Sequence, residues 1–183
     1  MGLKKFFGRK KDAEDEYREY RLGEMEPGFL VDYDLKTWEV RAISNYDYDG
    51  HLTREWELHS DSGVGFLEQS VEDGQAEWTF TTRIAVENIV ENVVSEIASN
   101  DDPPQQIHFE GKSYAADEMS AGIQNHGDGE SEKEFVGWSY ESEDGRVLFI
   151  NQWGEGDFSA YEGIYVEEYQ FTDILPGGGS VES

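Results

Sequence analysis

The residues of this 183-residue chain best suited to hold a metal or move a proton near neutral pH are its four histidines, His51, His59, His108 and His126. Their spacing forms no His-Glu-x-x-His or other tight ligand motif, and each falls at a strand edge or in a loop. They read as solvent-facing polar residues. The segment NYDYDG (45–50) opens like a calcium loop, with side-chain oxygens at alternating positions before a glycine. The place of the bidentate Glu, however, is held by Trp56, with Glu55 and Glu57 on either side, and a hairpin turn explains the segment better. With 41 Asp and Glu residues, carboxylate pairs close enough for acid–base work arise by chance and carry no information. GDGES (127–131) and GEGD (154–157) are rich in glycine, but neither leads from a strand into a helix bearing a Lys, and their acids would repel phosphate. There is no GxSxG elbow and no nucleotide fingerprint. The absence of cysteine closes off thiolate metal sites, disulfides and thiol nucleophiles. The expectation is a protein that is not an enzyme, with no catalytic residue, metal ligand or cofactor.

The elements that would carry any site are mostly strands. An aromatic content of 14% is high for so polar a chain and favours a folded, β-rich body. FLVDYDLKTWEVRAI reads as two strands joined by a tight turn at Asp34 and Leu35, and a polar turn follows at 47–50. LTREWELHS alternates, with Leu52, Arg54, Trp56 and Leu58 on one face; FLEQSV and AEWTFTTRI continue a meander. The period then changes. Val86, Ile89, Val90, Val93, Val94 and Ile97 recur at helical spacing and predict one long helix over 84–99, ended by the run from Asn100 to Pro104. Strand patterning resumes from Ile107 to Ile174, and PGGGSVES reads as a flexible tail. Near the start, DAEDEYREYRL predicts a short charged helix.

The second stretch repeats the first in degenerate form. LKTWEV aligns with GKSYAA at an offset of 76, placing Trp38 opposite Tyr114. WELHSDSGVGFLEQSVEDG runs without a gap against WSYESEDGRVLFINQWGEG at an offset of 82, so that Trp56 meets Trp138, Val71 meets Trp153 and Gly74 meets Gly156. The six-residue insertion between the blocks falls in GIQNHGDGESEK (122–133), expected to be a long polar loop. Trp38, Trp56, Trp138, Tyr114 and Trp153 are the expected anchors of one shared core. The fold class expected is mainly β (β-rich α+β): two similar antiparallel meander units packed as a pseudo-symmetric sandwich or open barrel, connected by the long helix. The domain plan is a basic arm with a short helix (1–23), a first β-unit with the connecting helix (24–100), a second β-unit (101–176) and the tail (177–183).

Charge is distributed unevenly. The net charge is −27, yet five of the fourteen Lys and Arg residues (Lys4, Lys5, Arg9, Lys10, Lys11) lie in the first eleven positions, where there is no acid. Nine basic residues then face 41 acids, a charge of −32 on residues 12–183. Such a body repels phosphate backbones, so no nucleic-acid partner is expected. The acidity suits either a high-salt cytoplasm or ordinary solubility. In the arm, Leu3, Phe6 and Phe7 stand among the cations Lys4, Lys5, Arg9, Lys10 and Lys11, a pattern able to make weak contact with an anionic membrane surface or a partner protein, or to fold back on the acidic body. No apolar run is long enough to span a bilayer and the N-terminus lacks a signal-peptide core, so a cytoplasmic protein is expected, with the inner face of the membrane as its peripheral site. Phe6 stands where a myristoylation pattern wants Ser or Thr.

These segments resemble a bacterial and archaeal family catalogued as domain of unknown function 4178. The likeness rests on the basic-aromatic start MGLKKFFGRKK, on VDYDLKTWEVRAI, on REWELHSDSGVGFLEQSVEDGQAEW and on GWSYESEDGRVLFINQWGEGDFSAYEGIYVEEYQFTDILP, covering roughly 27–176. The resemblance implies association with genes of the phage-shock-protein A membrane-stress type, small membrane proteins and polyamine-synthesis-like enzymes; it implies no functional residues. Three functions are left. The first is a non-enzymatic cytoplasmic adaptor that reaches the membrane, or a membrane protein, through residues 1–11. The second is a soluble binding module for cations or polyamines. The third is an enzyme with an unfamiliar site, for which a deep pocket lined by Trp56 and Trp138 would be the sign.

Overall fold

A computed structural model describes residues 19–126 and 131–177. The arm, the expected charged helix up to Arg18, the GDGE stretch (127–130) and the tail from 178 lie outside the described residues. The described end of the charged helix is not α-helical; residues 19–21 lead into a 3-10 turn, Leu22–Glu24.

Eleven antiparallel strands form one sheet: β1 Leu30–Tyr33, β2 Lys36–Tyr48, β3 His51–Ser60, β4 Gly63–Glu72, β5 Gln75–Ile84, β6 Gln106–Phe109, β7 Lys112–His126, β8 Glu132–Ser142, β9 Arg146–Gly154, β10 Asp157–Val166 and β11 Thr172–Leu175. Their order is β11-β1-β2-β3-β4-β5-β10-β9-β8-β7-β6, and a further pairing of β2 with β7 bends eight of them, β2–β5 and β7–β10, into a ring that is not a regular barrel. The expected mainly β class is what the structure shows; of the two packings expected, the ring is not the sandwich and comes nearer the open barrel, and the halves do not stack face to face. They join edge to edge, at β5–β10 and at β2–β7.

Local chemistry explains the hairpins. Asp34 and Leu35 take positive φ of 49° and 60°, the backbone of a two-residue turn that matches strand twist. Glu110 and Gly111 do the same at 47° and 78°. Pairing registers follow the two sequence offsets: Val40 opposes Leu58 as Ala116 opposes Tyr140, and Ile43 opposes Trp56 as Met119 opposes Trp138. Between these pairs both β2 and β7 carry an irregularity, and an extra residue bends a strand. Past its bend each strand changes partner, β2 from β1 to β7 and β7 from β6 to β2.

The long predicted helix is mostly something else. Ile84 ends β5, a 3-10 turn spans Val86–Asn88, and only Val93–Asn100 is α-helix, α1. Asn92 accepts a hydrogen bond from Ser95 N at 3.2 Å, capping the helix there, while Val90 N–H is taken by the His108 carbonyl at 2.8 Å. The apolar spacing was genuine: Ile89, Val93 and Ile97 are buried together, but a turn and a two-turn helix deliver them. The expected 122–133 loop is corrected too. Gly122–His126 belongs to β7 and residues 132–133 to β8, because pairing with β2 carries β7 to His126.

Apolar side chains gather in two clusters rather than one shared core. Trp38 and Trp56 lie in the first with Leu22, Met25, Val40 and Leu58, beneath β1, β11 and the neighbouring turns. Tyr114 and Trp138 lie in the second with Ile107, Tyr140 and Ile150, beneath β6 and α1. The buried indole N–H groups find acceptors, Trp56 at the Met25 carbonyl (3.0 Å) and Trp38 at the Tyr33 carbonyl (3.1 Å). In the second cluster Tyr114 Oη donates to Glu162 Oε1 at 2.8 Å, and Arg146 Nη2 donates to Glu162 Oε2 at 2.7 Å, so that buried carboxylate is paired. Trp153 belongs to neither cluster. It is half-buried, donates to Ser159 Oγ at 2.8 Å and rests against Phe135 and Lys133.

Closure at β5–β10 requires Gly163, where a Cβ would stand 2.0 Å from the Phe80 carbonyl oxygen. Gly163→Ala is therefore expected to lower stability in urea unfolding by about 1–3 kcal/mol or more through overpacking. Gly154→Ala, with nothing within 4 Å of its added methyl, should stay within about 0.5 kcal/mol of the parent.

Candidate functional site

Strand alternation gives the ring two chemically different faces. On β3, Trp56 and Leu58 point outward to the first cluster, so Thr53 and Glu55 point into the ring. On β4, Leu67 points outward and Glu68 inward; on β5, Trp78 is outward, Thr79 and Thr81 inward. Tyr46 and Tyr48 of β2, Phe149 and Asn151 of β9 and Tyr161 of β10 complete a polar and aromatic lumen. Its deep end is narrow, about 50 Å³, and has no Lys, Arg or His among the residues that line it. Five of those residues also line a wider vestibule of about 550 Å³. There Asp49, Glu77, Asp117, Glu118 and Glu141 join Glu68, against a single His51 that is already bonded to Ser70 Oγ at 2.9 Å.

The centre of the lumen is an opposed carboxyl pair. The two-residue connection Asp61-Ser62 sets the β3–β4 register, so that Ser60 faces Gly63 and Glu55 faces Glu68. Directly opposite residues on one face hold their Cβ atoms about 4.5–5.5 Å apart, a placement that is destabilising for two like charges. Tyr46 Oη donates to Glu55 Oε1 at 3.0 Å and itself accepts from Gln124 Nε2 at 2.9 Å, so β7 buttresses the pair across the ring seam. Desolvation pushes the Glu55 carboxyl up to about 8, with the Glu68 charge adding to the effect and the Tyr46 hydrogen bond opposing it. Desolvation pushes Glu68 up to about 7. The same enclosure, before the carboxylate charges, holds the Tyr46 and Tyr48 phenols above their ordinary range. Thr53, two residues before Glu55, is 6% exposed, and its hydroxyl lies against the Tyr48 phenol, where its hydrogen bond opposes the burial that raises that group.

The histidines each have a neighbour outside this centre. His59 Nε2 meets Glu57 at 2.5 Å, His126 Nδ1 meets Ser44 Oγ at 3.1 Å, and His108 Nδ1 meets Glu91 at 2.7 Å. Burial works against the Glu91 carboxylate, but hydrogen bonds from the His108 ring and amide outweigh it and hold Glu91 below the usual range. No group of three or more His, Asp or Glu among the described residues is arranged to hold a metal. Trp56 is fully buried in the first cluster and does not line the cavity, whereas Trp138 contributes one wall of the vestibule. The expected contact residues Leu3, Lys4, Lys5, Phe6, Phe7, Arg9, Lys10 and Lys11 lie outside the described residues. Sequence reading missed Glu55, Glu68 and Thr53. It placed Leu52, Arg54, Trp56 and Leu58 on one face of β3 and gave the opposite face no role, although a two-residue connection at Asp61-Ser62 pairs the two glutamates.

The sequence profile described as "Domain of unknown function (DUF4178)" matches residues 26–168. A relative from Aquifex aeolicus (strain VF5), described as "Uncharacterized protein", is 28% identical over 175 residues, 95% of this chain and 96% of that one. No solved structure matches. Among the described residues, no helix is long and apolar enough to cross a membrane.

The raised carboxyls set a pH dependence whose sign is definite. A group that binds its proton more tightly when folded contributes stability below its unfolded pKa and loses it as pH rises through the folded value. Stability is therefore expected to fall between about pH 5 and pH 8–9 as Glu68 and Glu55 ionise within the lumen. Thermal unfolding across that range should show the decline, and Glu55→Gln/Glu68→Gln should flatten it and raise the midpoint at pH 9.

Proposed function

We propose that this chain, which belongs to the family described as a domain of unknown function (DUF4178), is a non-enzymatic binding protein whose lumen accepts a small organic cation. The observation that carries this reading is the lining: six carboxylates in and around the vestibule, one already-bonded histidine, and no Lys or Arg. An enclosure of one charge sign focuses its potential and concentrates the opposite ion. Aromatic walls, Tyr48 and Phe149 in the vestibule and Tyr161 deeper in, suit the alkyl stem of an amine better than a hydrated inorganic ion.

The chemistry of the site favours, of the functions expected from sequence, the module for cations or polyamines. Calorimetry with spermidine at physiological salt is expected to give saturable binding that survives a doubling of salt. A signal that vanishes with salt would leave only general attraction to an acidic surface.

The adaptor expectation rests on residues 1–11, on the absence of catalytic motifs and on the family resemblance, which supplies its membrane-stress association, while its peripheral place at the membrane rests on residues 1–11. For that reading, full-length protein should float with anionic liposomes while a chain lacking residues 1–11 should not. Equal failure of both removes the membrane contact.

A further inference from the structure

Where β2 meets β7 the ring carries a second concavity, an open groove of about 1080 Å³ between the β2–β3 turn and strands β7, β8 and β9. Ile123, Val136 and Trp153 give it an apolar lining. Asp47, Asp49, Glu134 and Glu155 line it too, and no Lys, Arg or His does. None of these four carboxylates is in an ion pair among the described residues. Lys133, over the Trp153 ring at 5.0 Å, is held by Asp157 at 2.9 Å and does not neutralise them. An apolar surface set among unpaired acids suits a segment that is apolar and cationic at once.

We propose that this groove seats the chain's own N-terminal arm, with Leu3, Phe6 and Phe7 on the apolar lining and Lys4, Lys5, Arg9, Lys10 and Lys11 toward the acids. The arm lies outside the described residues, and three features of the described ones point to it. The first is reach. Gly23 lies against Gln69, whose side chain would be 3.5 Å from a Cβ added there. From Gln69 a row of opposed residues crosses the sheet through Arg54 and Asn45 to Asn125 on β7. Three strand spacings make about 14 Å, and the groove begins two residues further along, at Asp47 and Ile123, about 7 Å more. Residues 12–18 span up to about 23 Å and the arm more than that again, enough to cross the row and enter the groove.

The second feature is the order of charge. Arg54 stands in the row to be crossed, 5.3 Å over the Trp56 ring, with its Nε buried and without a hydrogen bond among the described residues. The segment that must cross it carries Asp12, Glu14, Asp15 and Glu16, and the cationic arm comes next. Acids thus meet the arginine and bases meet the carboxylates, in the same sequence along chain and surface. The third is the tether. A second copy offers the same arm together with a charge of −32 on its residues 12–183, which this body repels. The chain's own arm adds no such repulsion and meets the groove at an effective concentration on the order of millimolar, so weak contacts suffice. A docked arm is withheld from any other anionic surface until that surface competes for it. None of this depends on what the lumen binds.

The chain has no cysteine, so cross-linking of the full-length protein tests the seat directly. Gly154→Cys places a thiol at the groove where an added side chain meets nothing within 4 Å. Paired with Gly8→Cys and mildly oxidised at low micromolar concentration, it should form an intramolecular disulfide at least tenfold faster than Gly8→Cys paired with Ser62→Cys. Ser62 is an exposed turn residue seven positions from Gln69, about 23 Å along β4 and so no farther from the start of the arm. Glu134→Lys/Glu155→Lys, both at exposed positions, should bring the groove rate down to the control rate with an unchanged urea midpoint. Phe6→Ser/Phe7→Ser should do the same, and because it alters only the arm it decides the matter even if the reversed charges disturb the body. Equal rates for the two cysteine pairs in the parent overturn the docking. A disulfide that joins two copies overturns it in favour of a second molecule's arm. A fast groove disulfide that neither set of substitutions slows shows that the arm does not use this seat.

Discussion

A β-strand presents hydrogen-bonding groups along both edges, and β2 and β7 are each too long for one neighbour to cover a whole edge. That constraint organises the molecule. The first part of β2 pairs with β1 and its last part with β7; β7 pairs first with β6 and then with β2. The bend in each long strand redirects the edge from one partner to the other. Once β2 and β7 meet, the sheet has an inside. Everything of functional interest, including the Gln124 contact that steadies Tyr46 and through it Glu55, follows from that seam.

Closure also divides the energetics. The apolar side chains lie outside the ring, in two clusters roofed by β1 and β11 on one side and by β6 and α1 on the other. Hydrophobic burial there can hold the fold while the interior remains polar and partly open. Here the inward positions are Thr, Tyr, Phe, Asn and Glu, and two of the glutamates oppose each other. Such a placement costs stability at neutral pH, which is the usual mark of a site kept for something other than folding.

The repeat was legible because Trp, Gly and turn residues at fixed offsets report local structure. The offsets of 76 and 82 reappear as equivalent strand pairings, Val40 with Leu58 and Ala116 with Tyr140. The helix was overread because 3-10 turns and short helices space apolar residues much as a long helix does, and Asn92 and Val90 each had a partner that periodicity cannot see. The 122–133 segment was underread for the opposite reason: its polar composition suits a loop, but the free edge of β2 recruits it into the sheet.

By itself the sequence determined the β-rich class, the hairpin turns, the absence of thiol chemistry and the acidity. All of these are set by neighbours a few residues apart or by composition. Only the tertiary structure decided that the two halves join edge to edge, that the Trp56 face is the outside and that the Glu55 face encloses a cavity. Alternation makes a strand two-faced but does not say which face another strand will shut away from water. That choice depends on pairings between residues far apart in the chain, such as Ser44 with His126, whose polar side chains carry no pattern that announces them.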